Sequence, residues 1–412
     1  MRSVITHRFT LTRRLFALLV AVALASALQT TSALAVARSS DLVDGQTAAS
    51  RNISTAALPD ITMKAGLISD SEGRIIWARN PDVRRPMASI TKIMTAIVAL
   101  ENSKLSDVVV VPAAAASVGQ STAYLVAGER LSMKELLTAM LVQSGNDAAV
   151  TIAIHVGGTE SHFVDMMNEK ARELGLTNTQ FKNPHGLDAK GHYSTARDLS
   201  VMARYAMGIP AFANIVRLKK ATIGSAGNRH KLQSTDLLLG NYDGAIGVKT
   251  GNTDGAGYSV VSAAQRSGVV LYAVVLGTVS DAQRFQDAKE LLDWGFAHFR
   301  PQELATAGTV VGEAPVVDYL DVSVPAAISR DATASVLDLN GSIRRTVTIA
   351  PVKAPIKVGD TVGVVTYTQA GAQIAGMPLV ATQDVGKPNV FLALWIGVVR
   401  GWRALFGLLA PV

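Results

Sequence analysis

Residues 88–98 read Ala-Ser-Ile-Thr-Lys-Ile-Met-Thr-Ala-Ile-Val and open a helical pattern that runs to about residue 100. The apolar residues recur at helical spacing, which predicts a buried helix. Ser89 and Lys92 are three residues apart, so a helix places the hydroxyl and the amine on one face. Free N–H groups at the helix N-terminus would face an oxyanion formed at Ser89. A lysine whose pKa is lowered by burial or by a nearby cation can accept the serine proton. Taken alone, Ser-x-x-Lys more often marks an N-cap serine followed by a surface lysine.

A second motif, Ser144-Gly145-Asn146, lies between two predicted helices at residues 131–142 and 147–156. A hydroxyl and an amide in such a connection can line a cleft, with the serine relaying a proton and the amide holding a substrate carbonyl or the lysine. In isolation, an N-cap for the following helix is the simpler interpretation.

A third motif, Lys249-Thr250-Gly251, precedes a predicted strand. The lysine and threonine offer a cation and a hydroxyl to a carboxylate, and the glycine lets a substrate lie close to the backbone. A nucleotide P-loop is excluded, because Val248 stands where that motif requires glycine and because a strand rather than a helix follows.

The elements around these motifs predict an α+β fold. Strand hairpins are predicted at residues 65–69 with 74–78 and at 258–264 with 269–276, and helices at about 88–100, 132–142, 147–156, 160–174 and 281–299. Strands at both ends with helices between them predict one antiparallel sheet with a helical insertion, forming a domain at residues 61–300. Short alternating strands after Pro301 predict a small all-β, sandwich-like domain at 301–386.

The charge of the chain is concentrated at its two ends. The 412 residues carry a formal net charge of +7, of which residues 1–37 contribute +4 and residues 387–412 contribute +3. The body between them is formally neutral, so we expect no nucleic-acid partner. The chain contains no cysteine, which excludes disulfides, thiolate nucleophiles and cysteine-ligated metals. Histidine and carboxylate spacing shows no metal-binding pattern, and we expect neither a metal nor another cofactor.

The N-terminal residues 1–37 have the order of a secretory signal peptide. A basic stretch precedes the apolar run 15–28, and small residues follow at Ala33-Leu34-Ala35 and Ala35-Val36-Ala37. We expect cleavage after Ala35 or Ala37 and export of the mature chain; an uncleaved transmembrane anchor is the alternative, although the apolar run is short for a span. Polar residues at 38–60 without a period predict a linker.

The C-terminal residues 387–412 predict an amphipathic helix. Apolar residues, two of them tryptophan, fall on one face, and Arg400 and Arg403 fall on a narrow opposite edge. Such a helix suits a membrane interface. A spanning helix is an alternative that two central arginines disfavour, and a core helix of the second domain is another.

The ordered set of motifs is far more specific than its members. Ser-x-x-Lys, Ser-x-Asn and Lys-Thr-Gly are separated by 55 positions (89 to 144) and 105 positions (144 to 249), which is the signature of penicillin-recognising serine acyl-enzymes. From Ala65 to Phe299 the sequence resembles low-molecular-mass penicillin-binding proteins that act as D-alanyl-D-alanine carboxypeptidases.

The resemblance implies a fold, a place and a reaction. It implies a β-lactamase/transpeptidase-like catalytic domain, a β-sandwich-like stalk and a tail bound to the membrane surface. The enzyme would act at the outer face of the bacterial cytoplasmic membrane, on the periplasmic or cell-wall side. It would remove the terminal D-alanine from peptidoglycan stem pentapeptides, which limits cross-linking, and β-lactams would inhibit it covalently.

The resemblance also implies roles for matching residues. Ser89 would attack the D-Ala–D-Ala carbonyl and Lys92 would accept its proton. Ser144 would pass a proton to the departing D-alanine, with Asn146 supporting the substrate and Lys92. The remaining implied roles are substrate binding by Lys249, Thr250 and Gly251, and an oxyanion hole from the N–H groups of Ser89 and Asn252. Some relatives carry histidine where this chain has Asn252. The difference leaves the implied acylation step largely unaffected, but it puts the implied substrate specificity or deacylation step in question.

Three other functions remain open from the sequence. A class A β-lactamase needs a deacylating glutamate in Glu-x-x-Leu-Asn, and the nearest match, at Glu173, has Thr177 in place of the asparagine. A serine–histidine hydrolase could use His185, but no Gly-x-Ser-x-Gly elbow is present and a loop-structuring histidine is the better interpretation. A catalytically silent envelope protein would not need the intact motif residues.

Overall fold

The structure, a computed structural model, describes residues 36–225 and 227–407. Most of the predicted signal peptide therefore lies outside the described residues. The chain divides into two compact units: the first ends at Trp294, and the second begins at Gly295 and also takes in Ser267–Val269.

The first unit is built on a seven-stranded sheet with the order β2-β1-β4-β3-β11-β10-β9. The strands of this unit are β1 (Leu42–Val43), β2 (Gln46–Thr47), β3 (Ala65–Asp70), β4 (Ile75–Arg79), β5 (Val108–Val110), β6 (Arg130–Ser132), β7 (Lys220–Ile223), β8 (His230–Gln233), β9 (Ala245–Thr253), β10 (Gly257–Arg266) and β11 (Val269–Thr278). β3 pairs antiparallel with β4, and β11 and β10 are hydrogen-bonded neighbours, which confirms the two predicted hairpins within one sheet. β3 also pairs with β11, and β10 with β9. β5 with β6 and β7 with β8 form separate two-stranded sheets.

Helices fill the chain between the two halves of the sheet, as the sequence predicts. They are α1 (Lys92–Asn102), α2 (Ala113–Ala116), α3 (Met133–Val142), α4 (Asn146–Gly157), α5 (Glu160–Glu173), α6 (Ala196–Met207) and α7 (Pro210–Val216), followed after the sheet by α8 (Asp281–His298). Alternate strand residues such as Leu67, Val261 and Val274 share one core cluster with these helices. Residues of opposite orientation, including Ile68 and Val275, are also fully buried, so the central strands are covered on both faces.

Residues 38–60 do not form the predicted linker. Within this segment β1 pairs with β4, matching Val43 to Trp77. The buried guanidinium of Arg79 donates to both carboxylate oxygens of Asp41, at 2.9 and 2.7 Å, and to the carbonyls of Val36 and Ile61. A polar, aperiodic segment is therefore held on the sheet by strand pairing and by a buried ion pair, which hydrophobic periodicity does not reveal.

The second unit contains an all-β domain of two sheets around its own core. The strands are β12 (Phe299–Ala305), β13 (Val310–Pro315), β14 (Ser323–Ile328), β15 (Ala332–Leu337), β16 (Arg344–Ile349), β17 (Thr361–Gln369) and β18 (Ala372–Ala381). β12 pairs with β15, and the other five form a sheet with the order β13-β14-β18-β17-β16. The core includes Val324, Val365 and Leu379, all fully buried.

A final helix, α9 (Val390–Leu405), begins at the N-cap Asn389 and presents most of its apolar side chains to solvent. Trp395 and Trp402 are 61% and 64% exposed, and of its residues only Ile396 is buried. The guanidinium of Arg400 donates to the carbonyls of Val317 and Tyr319, so this arginine faces the β domain. In the described part of the chain no single helix is long and apolar enough to cross a membrane; only the sharply bent pair α6–α7 meets the length and composition test.

Candidate active site

Ser89 lies in a short 3-10 helix, Ala88–Thr91, that leads directly into α1. This turn is held against β9 and the loop that contains Gly186. A Cβ atom on Gly251 would approach the Ser89 nitrogen to 3.1 Å, and one on Gly186, whose φ is +94°, would approach the Ala88 carbonyl oxygen to 2.0 Å. Both glycines are therefore required for the close packing that surrounds the half-buried serine.

Lys92 begins α1 and is fully buried. Its Nζ atom donates to Ser89 Oγ at 2.9 Å, to Asn146 Oδ1 at 2.7 Å and to the carbonyl of His185 at 2.7 Å. Burial, and then the nearby charge of Lys249, lower the pKa of Lys92 well below its usual 10.5, although Asp147 opposes this. A neutral amine held in this way has its lone pair directed at the serine hydroxyl, which is the geometry of a general base.

Ser144 and Lys249 form a second pair across the cleft. Ser144, between α3 and α4, is 5% exposed and has a φ of +66°. Its Oγ accepts a hydrogen bond of 2.9 Å from Lys249 Nζ, which also donates to the Thr250 carbonyl. Burial and the charge of Arg284 lower the pKa of Lys249 to about 7, against the opposing effect of Asp236. A lysine so placed can protonate Ser144 and can also receive an anionic group.

Asn146 and Asp147, the first residues of α4, hold one wall of the cleft. The Asn146 side chain accepts from Lys92 and donates through Nδ2 to the Gly119 carbonyl at 3.0 Å, which orients its amide. Four residues donate to the buried Asp147 carboxylate: Thr122 through its hydroxyl, and Ala123, Leu125 and Ala148 through backbone N–H groups. The wall formed by residues 119–125 is thus attached to the same turn as Ser144.

Thr235 and Arg284 are cleft residues that the sequence motifs do not identify. The Thr235 hydroxyl lies 2.6 Å from that of Thr250, and Arg284, on α8, donates to the Gly251 carbonyl at 3.1 Å. Arg284 adds a second cation beside Lys249 at the end of the cleft where a carboxylate is expected. Neither residue belongs to a recognisable motif: Thr235 lies in the connection that follows β8, and Arg284 has the sequence context of an ordinary residue of an amphipathic helix.

All three motifs meet at one cleft of about 290 Å³. Its lining residues are Ser89, Gln120, Ser121, Ser144, Asn146, Leu187, Thr235, Thr250, Gly251, Asn252, Thr253 and Arg284. Lys92 and Lys249 lie just beneath this surface and reach it through Ser89 and Ser144. Asn252 is exposed at the rim. A larger concavity, of about 820 Å³, lies along α9 and contains none of the motif residues.

The alternatives left open by the sequence find little support in this geometry. The lining includes no carboxylate; Glu173 lies at the end of α5, where it pairs with Lys170. The His185 ring accepts a hydrogen bond from the Leu187 N–H, and burial lowers its pKa to about 4, so it is a neutral, loop-structuring residue. Among residues 36–225 and 227–407, no cluster of three or more histidines or carboxylates could hold a metal ion.

Two family models together match most of the chain. Residues 47–280 match the model described as D-alanyl-D-alanine carboxypeptidase, and residues 299–387 match the model described as the C-terminal domain of penicillin-binding protein 5.

Individual relatives match over most of their length. The chain is 32% identical to the D-alanyl-D-alanine carboxypeptidase DacC of Escherichia coli over 376 residues, covering 86% of this chain and 92% of the relative. It is 32% identical to DacF of Bacillus subtilis, covering 81% and 88%. Among solved structures, DacD of Francisella tularensis is 29% identical with a TM-score of 0.61, over 80% of this chain and 94% of that one. Penicillin-binding protein 5 of Haemophilus influenzae is 30% identical with a TM-score of 0.60, over 80% and 99%.

Proposed function

The chain belongs to the D-alanyl-D-alanine carboxypeptidase family, and from this premise we propose that it removes the terminal D-alanine of peptidoglycan stem pentapeptides through an acyl-enzyme on Ser89. It is a serine-type hydrolase of the cell wall and a penicillin-binding protein. The observation that carries the assignment of the nucleophile is the contact of 2.9 Å between the Lys92 amine and the Ser89 hydroxyl in a buried site.

In acylation, neutral Lys92 accepts the proton of Ser89 as the serine oxygen attacks the carbonyl of the D-Ala–D-Ala amide. The short distance and the lowered pKa of Lys92 both support this role. The tetrahedral oxyanion is stabilised by the backbone N–H groups of Ser89 and of Asn252 on β9. Asn146 holds Lys92 in place and contributes to binding of the peptide.

The departing D-alanine takes its proton from Ser144, which Lys249 supports through their hydrogen bond. The terminal carboxylate binds to Lys249, to the Thr250 hydroxyl and to Arg284, so the leaving group is held by its charge until the amide breaks. Gly251 keeps β9 close to the peptide. Water then attacks the ester and gives a proton to the Ser144–Lys249 pair, which replaces the one that left with D-alanine. Lys92 returns its proton to the Ser89 oxygen as the acid is released.

Labelling with a fluorescent penicillin tests this assignment. The wild-type chain should form a covalent adduct, and Ser89→Ala should form none while keeping the wild-type unfolding profile. Release of D-alanine from diacetyl-Lys-D-Ala-D-Ala then measures the reaction itself. Wild-type protein that neither labels nor releases D-alanine would refute the proposal, and fast hydrolysis of penicillin without release of D-alanine would show a β-lactamase instead.

We further propose that the enzyme is exported and attaches to the outer face of the cytoplasmic membrane through α9. Two exposed tryptophans and an apolar face support an interfacial position, and the contact of Arg400 with the β-domain carbonyls turns that charge away from the lipid side. Deletion of residues 387–412 should move the protein from the membrane fraction to the soluble fraction. Replacing Trp395 and Trp402 with serine should weaken vesicle binding without changing penicillin labelling; full membrane retention of the deletion would refute the anchor.

A further inference from the structure

The hairpin formed by β7 and β8 carries a concentration of positive charge that the catalytic site does not use. Between Asp198 and Asp236 the chain contains six lysines and arginines and no acid. Five of these are exposed at the hairpin or next to it: Arg217, Lys219, Lys220, Arg229 and Lys231. Within residues 36–225 and 227–407 none of the five forms an ion pair. The body of the protein is formally neutral, so this local excess is a departure from its average.

The strand register gives the hairpin two distinct faces. Lys220 pairs with Gln233 and Thr222 with Lys231, so these four side chains share one face, which we call the basic face. They border a shallow depression of about 510 Å³. The alternate residues, such as Ile223 and Leu232, are buried, the former 4% and the latter 3% exposed, and belong to the main core. The lysines are therefore held outward by a strand pair anchored in the core.

Two acidic side chains contact the hairpin, and both are engaged in hydrogen bonds there. Glu129, 7% exposed, contacts His230 Nε2 at 2.9 Å through one carboxylate oxygen and at 3.0 Å through the other. Glu135 accepts from the N–H of Gly224 at 3.1 Å and caps α3. Both acids serve internal contacts, so the charge of the basic face is left unneutralised toward solvent.

The basic face continues into the rim of the catalytic cleft. The backbone N–H of Gln233, at the end of β8, donates to the Gln143 side chain at 2.9 Å, and Gln143 immediately precedes Ser144. Two residues beyond Gln233, Thr235 lines the cleft and contacts Thr250. A polymer that inserts one chain end into the cleft therefore passes within reach of the basic face.

We propose that the basic face binds the carboxylates of neighbouring stem peptides on polymeric peptidoglycan, while one stem occupies the cleft. The inference rests on the proposed function, which makes this polymer the substrate. Peptidoglycan carries repeated carboxylates, because every stem peptide that is not cross-linked ends in one, whether or not its last D-alanine has been removed. Several lysines facing repeated anions raise local substrate concentration and association rate, an effect that salt weakens. A short peptide with a single carboxylate gains little.

The test compares Lys220→Gln/Lys231→Gln with Lys104→Gln/Lys289→Gln, a control pair of exposed lysines elsewhere that loses the same charge. D-alanine release is measured on diacetyl-Lys-D-Ala-D-Ala and on purified peptidoglycan at low and high salt. At low salt we expect the basic-face variant to lose about five- to tenfold on peptidoglycan and less than twofold on the short peptide. The control should match wild type on both. Equal rates of variant and control on peptidoglycan would overturn the inference.

A binding measurement separates the possible partners. Full-length Ser89→Ala protein is sedimented with peptidoglycan, with peptidoglycan whose carboxyl groups have been amidated, and with anionic phospholipid vesicles. We expect amidation of the peptidoglycan to abolish most binding of the Ser89→Ala protein. We expect the added Lys220→Gln/Lys231→Gln changes to abolish most binding to unmodified peptidoglycan and to leave vesicle binding unchanged. Binding that survives amidation, or a loss confined to vesicles, would refute a peptidoglycan site. If wild-type protein does not hydrolyse the short peptide, the proposed function is refuted. If it does, and the basic-face variant and the control variant act equally on peptidoglycan, only the binding role of the basic face is refuted.

Discussion

Replacing Asp147 with asparagine would loosen the wall of the cleft formed by residues 119–125. The carboxylate is fully buried, and its two oxygens share the donors unequally. Oδ2 accepts from the Thr122 hydroxyl at 2.5 Å and from the N–H groups of Ala123 and Leu125 at 3.0 Å, while Oδ1 accepts from those of Ala148 at 2.9 Å and Ala123 at 3.0 Å. An amide has only one oxygen. An asparagine can therefore keep the three hydrogen bonds that Oδ2 accepts only if its NH₂ group points toward the N–H of Ala148, which is itself a donor.

The expected cost follows from this mismatch. A hydrogen bond to a charged group contributes about 1.5–3 kcal/mol, and a buried donor left without an acceptor costs about 1–3 kcal/mol. Because the amide retains most donors in weaker, uncharged bonds, we expect the free energy of unfolding to fall by about 2–4 kcal/mol. For a domain of this size that corresponds to a melting temperature lower by about 5–15 °C. The wall residues Gln120 and Ser121 should move with it, so penicillin labelling should slow.

Urea unfolding and the rate of fluorescent-penicillin labelling measure the two effects on the same protein. Asp107→Asn is the matched control, because Asp107 accepts one backbone hydrogen bond, from Lys104, at an exposed position. Its expected cost is below about 1 kcal/mol, since the group stays in water. If Asp147→Asn unfolds at the same urea concentration as this control and labels at the wild-type rate, the carboxylate does not hold the wall.

Three further changes test the charges of the site and of the sheet. For short peptides, kcat/KM should fall about tenfold per pH unit above about pH 7, because Lys249 loses its proton and with it the charge that holds the substrate carboxylate. In Lys249→Arg this fall should disappear, because guanidinium stays protonated. If the variant keeps the alkaline fall, Lys249 does not hold the carboxylate by its charge. Arg284→Gln should raise KM for D-Ala–D-Ala peptides about tenfold with a smaller change in kcat, measured by D-alanine release; an unaltered KM would place the carboxylate elsewhere. Arg79→Ala should lower the free energy of unfolding in urea by about 3–5 kcal/mol, because it leaves the buried Asp41 unpaired. Arg197→Ala breaks an exposed ion pair and should lower it by less than about 1 kcal/mol. Similar losses for both variants would contradict the importance of burial for the Arg79–Asp41 pair.

The main elements of the fold could be predicted because their information is local. Apolar periodicity identified α1, α3, α4 and α5, and alternation with turn residues identified the hairpins of the central sheet. Both patterns are set by which side of an element faces the core. The three motifs were recognisable for a related reason, since their chemistry depends on residues adjacent in sequence on one turn or strand.

What could not be predicted depends on contacts between distant segments. Arg284 enters the cleft only because α8 packs where β9 presents the Gly251 carbonyl, and nothing in the local sequence of α8 marks it. The fold of residues 38–60 depends on a partner for Asp41 that lies on β4, outside the segment itself. The lowered pKa of Lys92 depends first on burial in the assembled domain and then on the charge of Lys249, which is 157 positions away (92 to 249). Such properties belong to the assembled site rather than to any motif.

The contacts of Lys92 limit how many protons the site can move. The Asn146 oxygen and the His185 carbonyl can only accept, so two hydrogens of the amine stay engaged whatever its charge. Only the third position on the nitrogen, the one that faces Ser89, can alternate between a hydrogen and a lone pair. Ser89 and Lys92 therefore share a single transferable proton. D-alanine takes its proton from Ser144, so the proton that Lys92 took from the serine stays on the amine until the ester is hydrolysed and the serine oxygen recovers it. Lys92 cannot begin a second acylation before that return, and the two halves of the reaction are obliged to alternate.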